Sequence, residues 1–162
     1  MGQKILIFKI IIFSFFFFSF SSYSQTIIKG NAKIVDGDTI HIGKNKIRLH
    51  GIDAPEIDQT CVFKEKKWNC GIEAKLALKK IILKGTDVEC KINDMDIYKR
   101  FVGICFINDQ NINKYMVNQG WAIAYRYYSH DYIEDEEFAK KNKLGIWKGY
   151  FEEPYLFRKN NK

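Results

Sequence analysis

The sequence predicts a mainly β domain of the α+β class, a five-stranded barrel carrying about three helices. Three observations predict it. Short β-branched runs alternate with Gly, Asn and Asp turns through the first third of the chain. A single clear helix then interrupts the strands, and the remaining helical periodicity comes only after the last of them. At 162 residues the chain suits one domain with extras and hardly two.

Residues 26–42 read as strand, turn, strand. Ile27, Ile28, Ile34, Val35, Ile40 and Ile42 are β-branched, broken by Gly30-Asn31 and Asp36-Gly37-Asp38. Gly43-Lys44-Asn45-Lys46 is a tight turn, and residues 47–52 alternate as a third strand. Asp53-Ala54-Pro55-Glu56 ends it, because Pro55 has no N–H for a ladder. A polar loop with two cysteines, 57–70, leads to the clearest helix, 71–83. Ile72, Leu76 and Leu83 follow helical spacing, Glu73 sits in the first turn and Gly85 is the stop. Residues 88–92 alternate as a strand, 93–99 form a polar turn and 101–107 another strand. A short helix over 113–119 stops at Gly120, and 121–128 is a strand-like aromatic run. Residues 131–143 form a second strong helix, acidic at its start and basic at its end in accord with the dipole. Gly145-Ile146-Trp147 closes the domain, and an aromatic, then basic tail follows. Five strands with one helix after the third is the order of an OB-type barrel.

The organisation is a secretory signal over 1–24, a domain over 25–148 and a tail over 149–162. Lys4 and Lys9 precede an apolar run, and Ser22-Tyr23-Ser24 offers small residues before Gln25. The run is shorter than the roughly 20 residues of a spanning helix. Secretion or periplasmic residence is therefore expected, with membrane contact only in transit; an uncleaved signal anchoring an envelope protein is the alternative. Without residues 1–24, which hold two Lys and no acid, the net charge falls from +7 to +5. That suits a polyanionic partner, although many proteins are mildly basic. Export puts Cys61, Cys70, Cys90 and Cys105 in an oxidising compartment. Three pairings are open. Cys61 and Cys70 can staple the 57–70 loop; Cys90 and Cys105 can pair across neighbouring strands or stay as small buried thiols. The cysteines have no paired C-x-x-C spacing for zinc.

Three polar clusters exceed what a plain barrel needs. Asp36-Gly37-Asp38-Thr39 by itself is a hairpin turn. In Arg48-Leu49-His50-Gly51-Ile52-Asp53-Ala54-Pro55-Glu56, Arg48 lies mid-strand among apolar residues, where a charge is costly unless paired or bound to an anion. Asp96-Ile97-Tyr98-Lys99-Arg100 by itself is a polar hairpin loop. Together they assemble chemistry. Asp38 and Asp53, at the ends of neighbouring strands, can share a hard cation such as calcium or magnesium. Glu56 can orient or deprotonate a water, and the guanidinium forks of Arg48 and Arg100 suit phosphate oxygens. Tyr98 can stack on or hydrogen-bond a nucleotide, and Tyr125 and Tyr127, alternating in a strand, can form a base-stacking wall.

These clusters, with Ile34-Val35 before the first and Lys143-Leu144-Gly145-Ile146-Trp147 near the end, resemble the thermonuclease (staphylococcal nuclease-like) family over roughly residues 27–147. Four motifs in the right order and at compatible spacing make the resemblance specific. It implies a Ca2+ site from Asp38, Asp53 and the backbone carbonyl of Ala54. It also implies Arg48 and Arg100 on the scissile phosphate, Glu56 as general base, and Tyr98 and Tyr125 at the terminal phosphate and base. The implied reaction is attack of water on phosphorus in DNA or RNA, preferably single-stranded, leaving 3′-phosphate ends. No stable protein partner is implied, and a monomer is expected. The third motif departs from the family's pattern: Ile97 stands where a basic residue is usual, and Lys99 where a glycine is. Lys99 keeps the loop basic, so altered phosphate contacts are expected rather than lost activity.

The alternatives are weaker. His41, His50 and His130 lie at non-matching positions and read as solvated or barrel-surface residues. Trp121 and Trp147 read as core. A non-catalytic nucleic-acid-binding OB-type module is the main rival, but such a domain should lack some of the acids or arginines, and all are present.

Overall fold

The structure, a computed structural model, describes residues 25–82 and 87–161. The expectations for the signal over 1–24, and for Leu83 and Gly85 at the end of the first long helix, lie outside the described residues. In chain order the elements are β1 Thr26–Ile34, β2 Thr39–Ile42, β3 Asn45–Leu49, β4 Ile52–Asp53, β5 Cys61–Phe63 and β6 Lys66–Trp68. There follow α1 Cys70–Ile81, β7 Asp87–Met95, β8 Phe101–Ile107, β9 Gln110–Asn111, α2 Ile112–Asn118 and β10 Ile123–Ala124. The chain continues with α3 Ile133–Lys141, a 3₁₀ turn Gly145–Lys148 and α4 Pro154–Asn160.

Strands β3, β2, β1, β7 and β8 hydrogen-bond in that order, and β3 returns to pair with β8, so the sheet closes into a five-stranded barrel. The closing seam is parallel and pairs Ile47 with Phe101, Arg48 with Val102 and Leu49 with Gly103; the other barrel pairings are antiparallel. Strand β9 is an extra edge on β8. This is the predicted mainly β, OB-type architecture, with α4 as an additional helix.

Alternation along each strand decides what faces inward. In β3, Ile47 and Leu49 are buried in the barrel while Arg48 between them points to the other face. Ile40, Val88, Leu78, Ile112 and Met116 complete the core, and fully burying each such side chain contributes about 2 kcal/mol. Trp121 packs on this core as expected. Trp147 packs on a second, smaller cluster with Cys61, Cys70, Ile123 and Ile146. At the closing turn, Gly120 and Gly145 both have positive φ and press backbone on backbone, so a Cβ at either would collide with the other segment.

Several elements differ from the expectation. The 57–70 loop contains the β5–β6 hairpin, turned by Lys64 and Glu65, both at positive φ. The predicted turn at 93–99 begins later: β7 runs on to Met95 past an irregularity between Ile92 and Asp94, and residues 96–99 make the turn. The aromatic run 121–128 is strand only at Ile123–Ala124, which pairs with β4, and then turns. The long helix predicted over 131–143 spans only Ile133–Lys141. The unassigned tail forms α4 and packs back on the domain. Both disulfides are intramolecular: Cys61–Cys70 closes the base of the β5–β6 segment, and Cys90–Cys105 links registered partners on β7 and β8.

Candidate active site

The site grows from the corner where β2, β3 and β4 meet. Asp36 accepts the Asp38 amide at 3.0 Å in an Asx turn, which aims the Asp38 side chain away from solvent. Thr39 is the registered partner of Arg48, so Asp38 and Arg48 start from adjacent strand positions. The Arg48 guanidinium donates through Nη1 to Asp38 Oδ1 and through Nη2 to Asp53 Oδ1 at 2.7 Å. The second oxygen of Asp38 accepts the Ala54 amide at 2.7 Å, which stitches the β4 segment to the first motif. Asp38 and Asp53 are buried, 2% and 0% exposed. The charge that looked out of place in an apolar strand is thus paired on both sides.

Glu56 is half-buried beside this pair, and a residue from the tail joins it there. Arg158 on α4 donates from Nη1 to Asp53 Oδ1 at 2.9 Å and to Glu56 Oε1 at 2.7 Å, and from Nη2 to Asp53 Oδ2 at 3.1 Å. Buried Gln59 accepts the Glu56 amide and donates to the Glu152 carbonyl at 2.7 Å, while Val62 and Tyr150 exchange two backbone hydrogen bonds. The packing is tight on the other side too: a Cβ at Gly71, at the start of α1, would run into the Glu56 carbonyl.

Three carboxylates (Asp38, Asp53, Glu56) and two guanidiniums (Arg48, Arg158) therefore share one corner, with the Asp36 carboxylate close behind Asp38, so acids outnumber bases. Burial pushes the Asp38 and Asp53 carboxyls up from their ordinary value despite the arginines beside them. Burial opposes the charge of Arg48 and Arg158, but the carboxylates prevail and raise both. An excess of buried negative charge made of hard oxygen donors is chemistry that fits a calcium-like cation. Among the described residues no group of three or more His, Cys, Asp or Glu is arranged to hold a metal by side chains alone. Backbone carbonyl or water oxygens would have to complete any such site.

The other expected residues are divided between two edges. Arg100 lies two residues before Val102, the registered partner of Arg48, and so on the same side of the sheet. Its Nε donates to Asp96 at 2.8 Å, and it makes no hydrogen bond to Asp38, Asp53 or Glu56. Tyr98 is exposed with the Arg100 guanidinium 5.5 Å from its ring centre. Lys99 has φ 58°, the left-handed region, which explains why a glycine suits that position. Tyr125 is at the acidic corner: burial first, then the charge of Asp53, raises its hydroxyl pKa. The wall of Tyr125 and Tyr127 on one strand face is not formed, because the strand ends at Ala124. Tyr128 instead meets both edge-on, at 5.1 Å from Tyr125 and 4.9 Å from Tyr127. His41, His50 and His130 donate no hydrogen bond to the acidic corner.

Sequence reasoning missed the residues that hold this corner from behind. Asn113, fully buried, donates to the His50 carbonyl at 2.9 Å and accepts the Cys105 amide at 3.0 Å, locking α2 to the end of β3 and to β8. Glu136, 1% exposed, accepts the Ala124 amide, Arg126 and Lys140, and so fixes α3 to the strand that pairs with Asp53. Burial works against its charge, but these donors outweigh it and hold the carboxyl below its ordinary value. The only hint in the sequence was the Glu136–Lys140 spacing on a helix.

Barrel and corner together define an OB-type domain with paired buried acids and arginines at one rim. The chain belongs to the family of staphylococcal nuclease homologues, whose family-wide pattern matches residues 46–149. It is 31% identical over 148 residues to a micrococcal nuclease of Shigella flexneri, covering 80% of this chain and 79% of that protein. It is 33% identical over 124 residues to the succinoglycan biosynthesis protein ExoI of Rhizobium meliloti, covering 75% of this chain and 65% of that one. Identity to an uncharacterized endonuclease of Haemophilus influenzae is 36% over 122 residues, 71% of this chain and 63% of the other. The chain thus spans a little under two thirds of the length of the latter two relatives.

Proposed function

We propose that the protein is an exported, calcium-dependent endonuclease that hydrolyses phosphodiester bonds in DNA and RNA and leaves 3′-phosphate ends. The observation that carries this reading is the convergence of Asp38, Arg48, Asp53 and Glu56 at one buried corner of a barrel whose family is that of the staphylococcal nuclease. Calcium would be held by Asp38, Asp53 and the carbonyl of Ala54, and when bound it supplies Lewis acidity and positive charge next to the phosphate. Glu56 orients the attacking water and accepts its proton as the new P–O bond forms; the P–O5′ bond breaks, and the departing 5′-oxygen takes up a proton from solvent. Arg48 and Arg100 offset the charge that grows on the phosphoryl oxygens. Tyr98, Lys99, Tyr125 and Tyr127 bind the strand, and a flexible single strand adapts best to groups set on two rims. Export is supported by the two disulfides, which suit an extracellular or periplasmic compartment. The protein acts as a monomer.

The test is hydrolysis of heat-denatured DNA by the chain from Gln25 onward, with calcium and then with a calcium chelator. Cleavage that requires calcium and yields 3′-phosphate ends is expected. A folded protein that binds the DNA and cuts nothing would replace this reading with that of a nucleic-acid-binding module.

A further inference from the structure

We propose that Arg158 is a positioning residue of the nuclease site, and that the C-terminal helix is a working part of that site. The inference rests on the nuclease reading above. Glu56 and Asp53 are like charges that repel at close range, and one guanidinium nitrogen, Nη1 of Arg158, donates to both. Nη2 completes a fork on Asp53, so the arginine is fixed in direction as well as distance. These three bonds hold the Glu56 carboxylate beside Asp53 and Arg48. Without them the half-exposed Glu56 side chain has no other side-chain donor among the described residues.

The helix that carries Arg158 is seated at several points. Pro154 is buried at its first turn, Gln59 donates to the carbonyl of Glu152, and Tyr150 bridges Val62 of β5 in both directions. Gln59 holds both ends of the arrangement, since its side-chain oxygen also accepts the Glu56 amide. A tail present only for solubility would not be tied at its base to the backbone of the residue whose side chain its tip holds. Arg158 has five N–H donors, and the three bonds leave Nε–H and one Nη2–H without a partner among the described residues. Its side chain is 30% exposed.

The experiment is a double-mutant cycle on the full chain from Gln25, assayed on denatured DNA at saturating calcium. Arg158→Ala should lower kcat about ten- to a hundredfold with KM changed less than about threefold. In a Glu56→Gln background the same substitution should cost less than about twofold, because the group it positions is already disabled. Millimolar guanidinium ion should restore part of the Arg158→Ala rate where potassium chloride of equal ionic strength does not. Lys159→Ala, one residue along the same helix, controls for loss of charge alone and should match the parent. An equal loss in both backgrounds, or an Arg158→Ala enzyme as fast as the parent, overturns the proposal. A parent chain that cuts nothing overturns the nuclease reading instead. The contact is then judged by thermal unfolding, where additive shifts for Arg158→Ala and Glu56→Gln overturn it and non-additive ones uphold it.

Discussion

Arg48 and Arg100 carry the same proposed chemical task in opposite structural settings, so their removal should look alike in turnover and unlike in stability. Among the described residues Arg48 is the only counter-charge of Asp38 and one of two for Asp53, both buried. Arg48→Ala leaves that charge uncompensated and should cost about 3–5 kcal/mol of stability along with activity. Arg100 is partly exposed and pairs with Asp96, which also accepts the amides of Tyr98 and Arg100. Those amides hold the Asp96 carboxyl below its ordinary value even against burial, together with the Arg100 side chain. Arg100→Ala should therefore lose less than about 1 kcal/mol, yet lower turnover by about a hundredfold or more. Melting curves beside kcat check both; an Arg100→Ala enzyme of normal rate removes that residue from the site. Half of this corner was legible in the sequence because Arg48 breaks an apolar alternation, and a charge there demands partners that Asp38 and Asp53 supply. Arg158 was not legible. It is 105 residues from Asp53 and 102 from Glu56 in a basic tail with no periodic signal, and only tertiary packing brings it home.

At the scale of elements, the β5–β6 hairpin connects the disulfide to the tail. The Cys61–Cys70 bond closes a short loop, which in the chain-entropy picture contributes about 2.5 kcal/mol. The same hairpin carries Val62, whose backbone holds Tyr150, so loosening it should release α4. Replacing both Cys61 and Cys70 by Ala should lower the melting temperature and strip amide-exchange protection from residues 157–160. The matching Cys90→Ala, Cys105→Ala pair should cost comparable stability, since that bond joins β7 to β8, and leave α4 protected. Unchanged protection of α4 in the first variant would mean that the tail is held by Arg158 and Gln59 alone. The strands that sequence reading found, β1 to β3, β7 and β8, are those where β-branched and other apolar residues recur between turn signals. The hairpin escaped because its second strand, Lys66–Trp68, and its turn are charged, and its order comes from a covalent bond and a bridge to the tail. The aromatic run at 121–128 misled for the opposite reason. Its residues favour strands, but past Ala124 there is no strand to pair with, and the tyrosines stack on one another instead.

For the whole molecule, charge is divided into two populations that salt should separate. The net charge of +5 without residues 1–24 is carried by exposed side chains such as Lys64, Lys66 and Lys67 on the hairpin and Lys99 beside Arg100. The guanidinium of Arg48 is instead enclosed with its carboxylates, its side chain only 15% exposed. Mobile ions screen the first population within about 8–10 Å and barely reach the second. If a handful of exposed cations contact a single strand, log(kcat/KM) should fall against log salt with a slope of about −3, because each neutralised phosphate releases counterions. The rate at saturating substrate should change less than about twofold over the same range. Initial rates on denatured DNA between low and physiological salt, at constant calcium, measure both slopes. A kcat that falls as steeply as kcat/KM would mean that the reacting phosphate is held by solvent-facing lysines, and the enclosed corner would lose its claim to the chemistry.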